Sequence, residues 1–290
     1  MKKHINNPIA LLLIFFTLYS NCYAQRETPI KVMTTNIRYA SPNDGINIWE
    51  NRRDWLCQSI NFYDIDILGA QEVIHSQLKD MVSRLPDYNH VGIGRNGGNE
   101  GEFCPVFYKK SKYDQLEYKT FWLSETPDME NSKGWDAALP RIVTWVKMKD
   151  KETNKEFYFF NTHFDHKGEK ARLESAKLLI KKAKEIAGKV PFFITGDFNF
   201  SPDVEAYSVL TTKNELNFKL KDSKLEAKET YGPEYTFNGF KLEPDQNKKR
   251  IDYIFFNNAI SINKHHVIDG QRGPSYISDH FPIVIEAFIK

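Results

Sequence analysis

The sequence predicts an α/β fold in which packed sheets carry helices on their outer faces. Short apolar runs of β-like composition arrive in succession, without the strict strand–helix alternation of a purely parallel sheet. Three longer stretches, 49–63, 75–85 and 169–187, read as helices. Four polar strings each sit at an end of a strongly apolar run: Gln71-Glu72, Gly196-Asp197-Phe198-Asn199, Arg250-Ile251-Asp252-Tyr253 and Ser278-Asp279-His280-Phe281. No repeat, low-complexity tract or linker is apparent, so residues 25–290 read as one domain.

Residues 30–35 form a first strand, Trp49 to Tyr63 an amphipathic helix, and Ile65 to Ala70 a second strand closed by Gln71-Glu72. Residues 75–85 are helical, and 88–93 and 103–109 are strands around a glycine-rich loop, Gly92 to Gly101. Residues 140–149 and 156–164 make an antiparallel pair turned at Asp150 to Lys155. Tyr158 to Phe160 is apolar throughout, as in a strand covered on both faces. The helix Glu169 to Ala187 gathers Ala176, Leu179, Ile180, Ala183 and Ala187 on one face, and Gly188 can close it. Its Lys181, Lys182 and Lys184 form a solvated face. Residues 191–195 are a strand delivering the loop Gly196 to Ser201, and Glu205 to Leu210 is a short helix. Residues 211–249 are polar and carry no assignable pattern. Three last strands fall near 251–256, 262–268 and 282–288.

Residues 1–24 are set apart as a signal peptide. Lys2 and Lys3 precede an apolar run from Ile9 to Leu18, and Cys22-Tyr23-Ala24 offers small residues for cleavage before Gln25. Lipidation of Cys22 is the lesser alternative, because Asn21 is bulky for that processing. Cleavage removes two lysines and no acid, leaving 38 basic against 38 acidic residues from the original 40 and 38. A neutral chain argues against a nonspecific nucleic-acid binder, whose affinity rests on phosphate neutralisation. Cys57 and Cys104 sit among apolar neighbours and read as buried free thiols; in an exported protein they could pair if they meet.

A carboxylate at the end of a buried strand is costly unless its charge is compensated. One could be an ion pair or a cap. Four, with an asparagine and a histidine among them, suggest strand ends converging on a divalent cation, and hard oxygen ligands suit Mg²⁺, Mn²⁺ or Ca²⁺.

The ordered set Asn36, Gln71-Glu72, His163, Gly196-Asp197-Phe198-Asn199, Arg250-Ile251-Asp252-Tyr253 and Ser278-Asp279-His280 resembles the endonuclease/exonuclease/phosphatase superfamily over about residues 30–290. The resemblance implies a four-layered α/β/β/α sandwich of the deoxyribonuclease I type, with the site at one end of the paired sheets. By that resemblance Glu72, Asn36 and Asp279 are metal ligands, and His280 with Asp252 is a His–Asp dyad. Asp197 and Asn199 orient the attacking water and contact phosphoryl oxygens, with Asp197 activating that water, and His163 contacts the scissile phosphate. A carboxylate bound to one imidazole nitrogen fixes the tautomer and leaves the other facing the phosphate, as base or as protonated stabiliser. Asp165 and His166 extend His163 into His-Phe-Asp-His, but no thiolate or helical HExxH frame supports zinc. Alanine in place of His280 is expected to abolish most turnover with folding nearly intact.

Finer resemblance is to an exported bacterial subgroup like the CCR4 and nocturnin branch. Its marks are Asn43-Asp44-Gly45 with Trp49 and Arg52, Gly101-Glu102-Phe103, Phe121-Trp122-Leu123-Ser124, Gly134-Trp135-Asp136 and Pro140-Arg141. Arg141 and Arg95 are candidate phosphate forks, and Trp122 and Trp135 a candidate aromatic wall. Asn238-Gly239 reads as a turn near the rim. The expected activity is Mg²⁺- or Mn²⁺-dependent hydrolysis of a phosphate mono- or diester on a small phosphorylated molecule or lipid headgroup. An exported nuclease and a non-catalytic binding module are the alternatives. No feature calls for a protein partner, and a soluble periplasmic or secreted monomer is the expected state.

Overall fold

Along β1 (Ile30–Asn36) the side chains alternate between two interiors, Val32 facing one apolar cluster and Met33 another, both fully buried. A strand with both faces covered cannot lie on a surface, so this period of two dictates layers on either side. The computed structural model describes residues 28–212, 218–243, 245 and 247–290. The signal-peptide expectation, with Cys22, lies outside the described residues.

The remaining strands are β2 (Ile67–Gln71), β3 (Tyr88–Val91), β4 (Val106–Lys109), β5 (Tyr113–Trp122), β6 (Ile142–Asp150), β7 (Glu156–His163), β8 (Phe192–Asp197), β9 (Lys221–Asp222), β10 (Glu229–Tyr231), β11 (Asp252–Phe256), β12 (Ile260–Val267), β13 (Gln271–Arg272), β14 (Ser275–Tyr276) and β15 (Ile283–Ile289). The helices are α1 (Trp49–Phe62), α2 (His75–Arg84), α3 (Glu169–Ala187), α4 (Glu205–Thr211) and α5 (Ser223–Glu226). One mixed sheet has the order β10-β12-β15-β1-β2-β4-β3 and the other β5-β6-β7-β8-β11-β9. β13 and β14 form a separate small ribbon. No helix among the described residues is long and apolar enough to cross a membrane.

Between the sheets lies a core of Val32, Ile67, Val106, Phe157, Phe159, Phe193, Ile254 and Ile285. Behind the first sheet, Met33 of β1, Leu68 of β2 and Val284 of β15 pack on Leu56, Ile60, Leu78 and Met81 of α1 and α2. Behind the second sheet, Phe160, Phe192, Ile194 and Phe255 pack on Ala176, Leu179, Ile180 and Ala183 of α3 and on Ala206 and Leu210 of α4. The result is four layers, helices–sheet–sheet–helices, as the resemblance implied. Cys57 and Cys104 are both buried and unpaired.

Most elements fall where the sequence places them; β5 does not. Its middle, Asp114 to Lys119, is exposed at the sheet edge, so no apolar alternation marks it, and charged side chains there discourage further strand pairing. The polar stretch 211–249 contains only short elements, β9, α5 and β10, and residues 213–217, 244 and 246 lie outside the described set.

Near the functional end the sheets approach closely. A Cβ on Gly69 of β2 would lie 2.2 Å from Thr195 Oγ1 and 2.6 Å from Asn161 Oδ1, so the position admits only glycine. The buried Asn161 stitches the sheets together. Its Nδ2 donates to the carbonyls of Ala70 (2.7 Å) and Pro105 (3.0 Å), and its Oδ1 accepts from Gln71 Nε2 (2.7 Å) and Thr195 Oγ1 (3.0 Å). Asn161→Ala strands these groups in a dry interior, and a loss of about 2–4 kcal/mol is expected in urea unfolding.

Candidate active site

Strand direction brings the polar strings together. Parallel β1 and β2, and parallel β7 and β8, end at one edge, where antiparallel β11 and β15 begin. The register sets His163 opposite Asp197 and Asp197 opposite Asp252, while Asn36 pairs with Gln71 in the facing sheet. Ser278 Oγ donates to the Asn36 carbonyl at 2.6 Å and so fixes the segment carrying Asp279 and His280 beside the end of β1.

Asn36 is fully buried, and its Nδ2 donates to Glu72 Oε1 and to Asp197 Oδ2, each at 3.0 Å. Its Oδ1 accepts from the Arg38 N–H at 2.9 Å. Glu72 takes a left-handed backbone (φ 59°) directly after β2, and its Oε2 accepts from the Tyr39 N–H at 3.0 Å. Asp279 stands beyond, with Arg38 Nε 3.9 Å from its Oδ2. Arg38 is itself held by both oxygens of Asp44 at 3.0 Å. Burial raises the Asp279 carboxyl above its ordinary range; His280 works against that rise and Glu72 adds to it.

Across Asp197 lies the second half of the site. His280 Nδ1 is 2.9 Å from Asp252 Oδ2, and its Nε2 is 3.7 Å from Asp197 Oδ2. Burial opposes a charge on His280, but Asp252 and Asp197 outweigh it and lift its pKa well above the usual value. Burial, with the charge of Asp252, pushes Asp197 up to about 7 despite the pull of His280. Asn199, also left-handed (φ 50°), donates its N–H to Asp197 Oδ1 at 2.9 Å and lies with Nδ2 3.0 Å from His163 Nε2. Burial and the cation of Arg141 hold His163 well below the ordinary histidine pKa. A neutral ring accepting at Nε2 carries its proton on Nδ1, which has no hydrogen-bond partner and lies 3.9 Å from Glu102 Oε2.

The acidic groups fit a hard divalent cation. The neutral amide of Asn36 bridges the carboxylates of Glu72 and Asp197, and the Arg38 guanidinium lies beside Asp279, which stands outside both groups of closely spaced ligand atoms. Ligand atoms of Glu72, His163 and Asp197, and of Asp197, Asp252 and His280, form two groups, each within 4.8 Å. Both groups run through Asp197, a more central place than its string alone indicates.

The rim differs from expectation at Trp122. Trp122 is buried and spends its indole N–H on the Arg95 carbonyl at 2.7 Å, so it supports the glycine-rich loop and is no exposed wall. Trp135 is partly exposed, with φ 50°. Arg95 pairs with Glu102 at 2.9 Å. Arg141 is buried, its charge acts on His163, and it commits two nitrogens, to Asp165 Oδ2 (3.3 Å) and His166 Nδ1 (3.0 Å), which brace the guanidinium beside the site. Asn238-Gly239 opens a turn, as expected, closed by the Lys241 N–H on the Asn238 carbonyl at 3.2 Å, but its asparagine side chain is not at the surface. It is fully buried and donates to the Ser278 carbonyl at 3.1 Å, while the N–H groups of Asn238 and Gly239 hold the Asp279 carbonyl. Arg38 and Asn161 escape sequence reasoning because each lies outside the polar strings, and for Asn238 the sequence shows the turn but not the buried side-chain bond. Glu102 is visible there only as part of Gly101-Glu102-Phe103.

The Endonuclease/Exonuclease/phosphatase family matches residues 33–280. A solved endonuclease/exonuclease/phosphatase from Bacteroides vulgatus is 42% identical, with a TM-score of 0.86 over 91% of this chain and 100% of that one. A mannosyl-6-phosphatase from Bacteroides thetaiotaomicron is 38% identical, with a TM-score of 0.84 over 90% of this chain and 100% of that one. Nocturnin of Drosophila melanogaster is 25% identical over 280 residues, which cover 82% of this chain and 42% of the relative. The chain thus spans less than half the length of that curated relative.

Proposed function

The chain belongs to the endonuclease/exonuclease/phosphatase family of phosphate-ester hydrolases, and from that premise we propose that it is a divalent-cation-dependent phosphatase of small phosphorylated molecules, sugar phosphates first among them. The observation that carries this reading is the meeting, across Asp197, of an acidic pocket with the buried Asp252–His280 pair. The 38% identity to a mannosyl-6-phosphatase supports the sugar-phosphate class.

Glu72, Asn36 and Asp279 would hold the cation, Mg²⁺ or Mn²⁺, with Asp197 adjoining. When bound, the cation offsets negative charge on the phosphoryl oxygens and on the departing alkoxide. The chain's own groups supply the remainder. Asp197, with its carboxyl near neutrality, is suited to accept the proton of the attacking water. Asn199 fixes that carboxylate through its N–H. His280 carries its proton near neutral pH, so it donates toward a phosphoryl oxygen and stabilises growing charge, with Asp252 fixing the ring. His163, neutral, holds the Asn199 amide through Nε2, 3.4 Å from Asp197 Oδ2, while its buried Nδ1 is turned toward Glu102, which pairs with Arg95.

A panel of sugar and inositol phosphates, nucleotides, phospholipids and oligonucleotides tests the reading. Release of inorganic phosphate from a sugar phosphate is expected. Shortening of the oligonucleotides without phosphate release overturns it in favour of a nuclease. Glu72→Gln is expected to weaken Mn²⁺ binding about 100-fold or more in calorimetric titration, since even outer partners of metal ligands are worth 10–100-fold. The reading also takes the chain to be exported, supported by Lys2 and Lys3 ahead of the apolar run. N-terminal sequencing of the secreted protein should begin at Gln25; an intact Met1 confined to the cytoplasm contradicts it.

A further inference from the structure

Beside Asn199 opens a cleft of about 830 Å³, between the start of α3, the loop after β8 and the segment ahead of β11. Resting on the phosphatase reading, we propose that this cleft receives the alcohol portion of the substrate, and that this portion carries an anionic group of its own, a second phosphate or a carboxylate.

The cleft is continuous with the reactive end. Asn199 and Phe237 line it, and the Phe237 ring lies 5.0 Å from that of His280. Leu173, Phe200, Val204 and Ile251 give it an apolar floor suited to a carbon skeleton. Its rim holds four cations, Lys170, Arg172, Lys248 and Lys249, against the carboxylates of Glu169 and Glu205. Lys249 is matched by Asp203 at 2.7 Å. Lys170, Arg172 and Lys248 have no carboxylate within ion-pair distance among the described residues.

Two of these three are held in place. Arg172 donates to the Asp165 carbonyl at 3.1 Å, on the segment leaving His163. The Lys248 ammonium sits 4.5 Å from the centroid of the Phe237 ring that adjoins His280. Such braced and unmatched cations lose little freedom when they meet an anion, and charge-assisted bonds are the strong ones. The excess is local, since the whole chain carries a formal charge of only +2.

The test compares hexose 6-phosphate with hexose 1,6-bisphosphate and 6-phosphogluconate. With Mg²⁺, kcat/KM is expected to favour the two doubly anionic substrates by about tenfold, near 1.4 kcal/mol. Preference for the bisphosphate alone identifies a phosphate site; preference for both identifies a general anion site. Arg172→Gln with Lys248→Gln should bring the ratio close to one through KM, while Arg172→Lys with Lys248→Arg should restore it. Equal kcat/KM for all three substrates in the unaltered protein overturns the proposal. Calorimetric titration of the His280→Gln protein with the same compounds and Mg²⁺ keeps the test independent of turnover. Tenfold tighter binding of a doubly anionic compound supports the cleft, and a lack of hydrolysis by the unaltered protein then counts against the phosphatase reading alone. Equal binding overturns the cleft.

Discussion

His280→Ala is expected to lower kcat by about 10³–10⁴-fold, at the upper end of what a positioned proton-transfer or charge-stabilising group contributes. The ring is buried between Asp252 and Asp197 and carries its proton near neutrality, so alanine deletes the donor facing the phosphoryl oxygens. The substitution also bears on folding, contrary to the expectation from sequence. Asp252 Oδ1 already lacks a partner, and removing His280 leaves the whole carboxylate buried and uncompensated. Breaking such a pair costs about 3–5 kcal/mol. His280→Gln, which can still donate to Asp252, separates the two effects: stability should largely return and turnover should not. Near-normal turnover in a folded His280→Gln protein would sink the assignment.

Asp197→Asn should have opposite effects on activity and stability. Its carboxyl is raised to about 7 in the folded chain, from the ordinary value of 3.8. Stability tied to this proton is therefore full below about 3.8 and falls as pH rises through 7. Asparagine carries no such charge, so in cation-free buffer the variant should gain about 1–2 kcal/mol over the parent at pH 8, after allowing for one hydrogen bond lost. It should lose about 1 kcal/mol at pH 4, where that hydrogen bond is the main difference. Added Mg²⁺ should stabilise the parent more than the variant. Turnover should fall about 10²–10⁴-fold, because the group that accepts the water proton is gone. A variant no more stable than the parent at pH 8 contradicts the strained carboxylate.

Much of this was legible in the sequence for a simple reason. Buried strands such as Phe192–Asp197 are apolar almost to their last residue, so a carboxylate at the end is conspicuous. The helix Glu169–Ala187 shows its period because one face meets the sheet and the other meets water. β5 was invisible because an exposed edge has no apolar face to display. Trp122 looks like a ligand-binding residue by type, and only tertiary packing reveals that it is a buried support. Asn161 and Asn238 are isolated polar residues whose importance comes from carbonyls distant in sequence, a relation that no local pattern encodes. The cleft beside Asn199 is likewise built from three separate segments.

The most direct measurement is phosphate release from a hexose 6-phosphate by the purified protein after chelation, and again after Mg²⁺ or Mn²⁺ is restored, with Glu72→Gln alongside. The account predicts activity that disappears with chelator, returns with cation and is nearly absent in the Glu72→Gln protein. Release that persists in chelator, or that Glu72→Gln leaves intact, contradicts it.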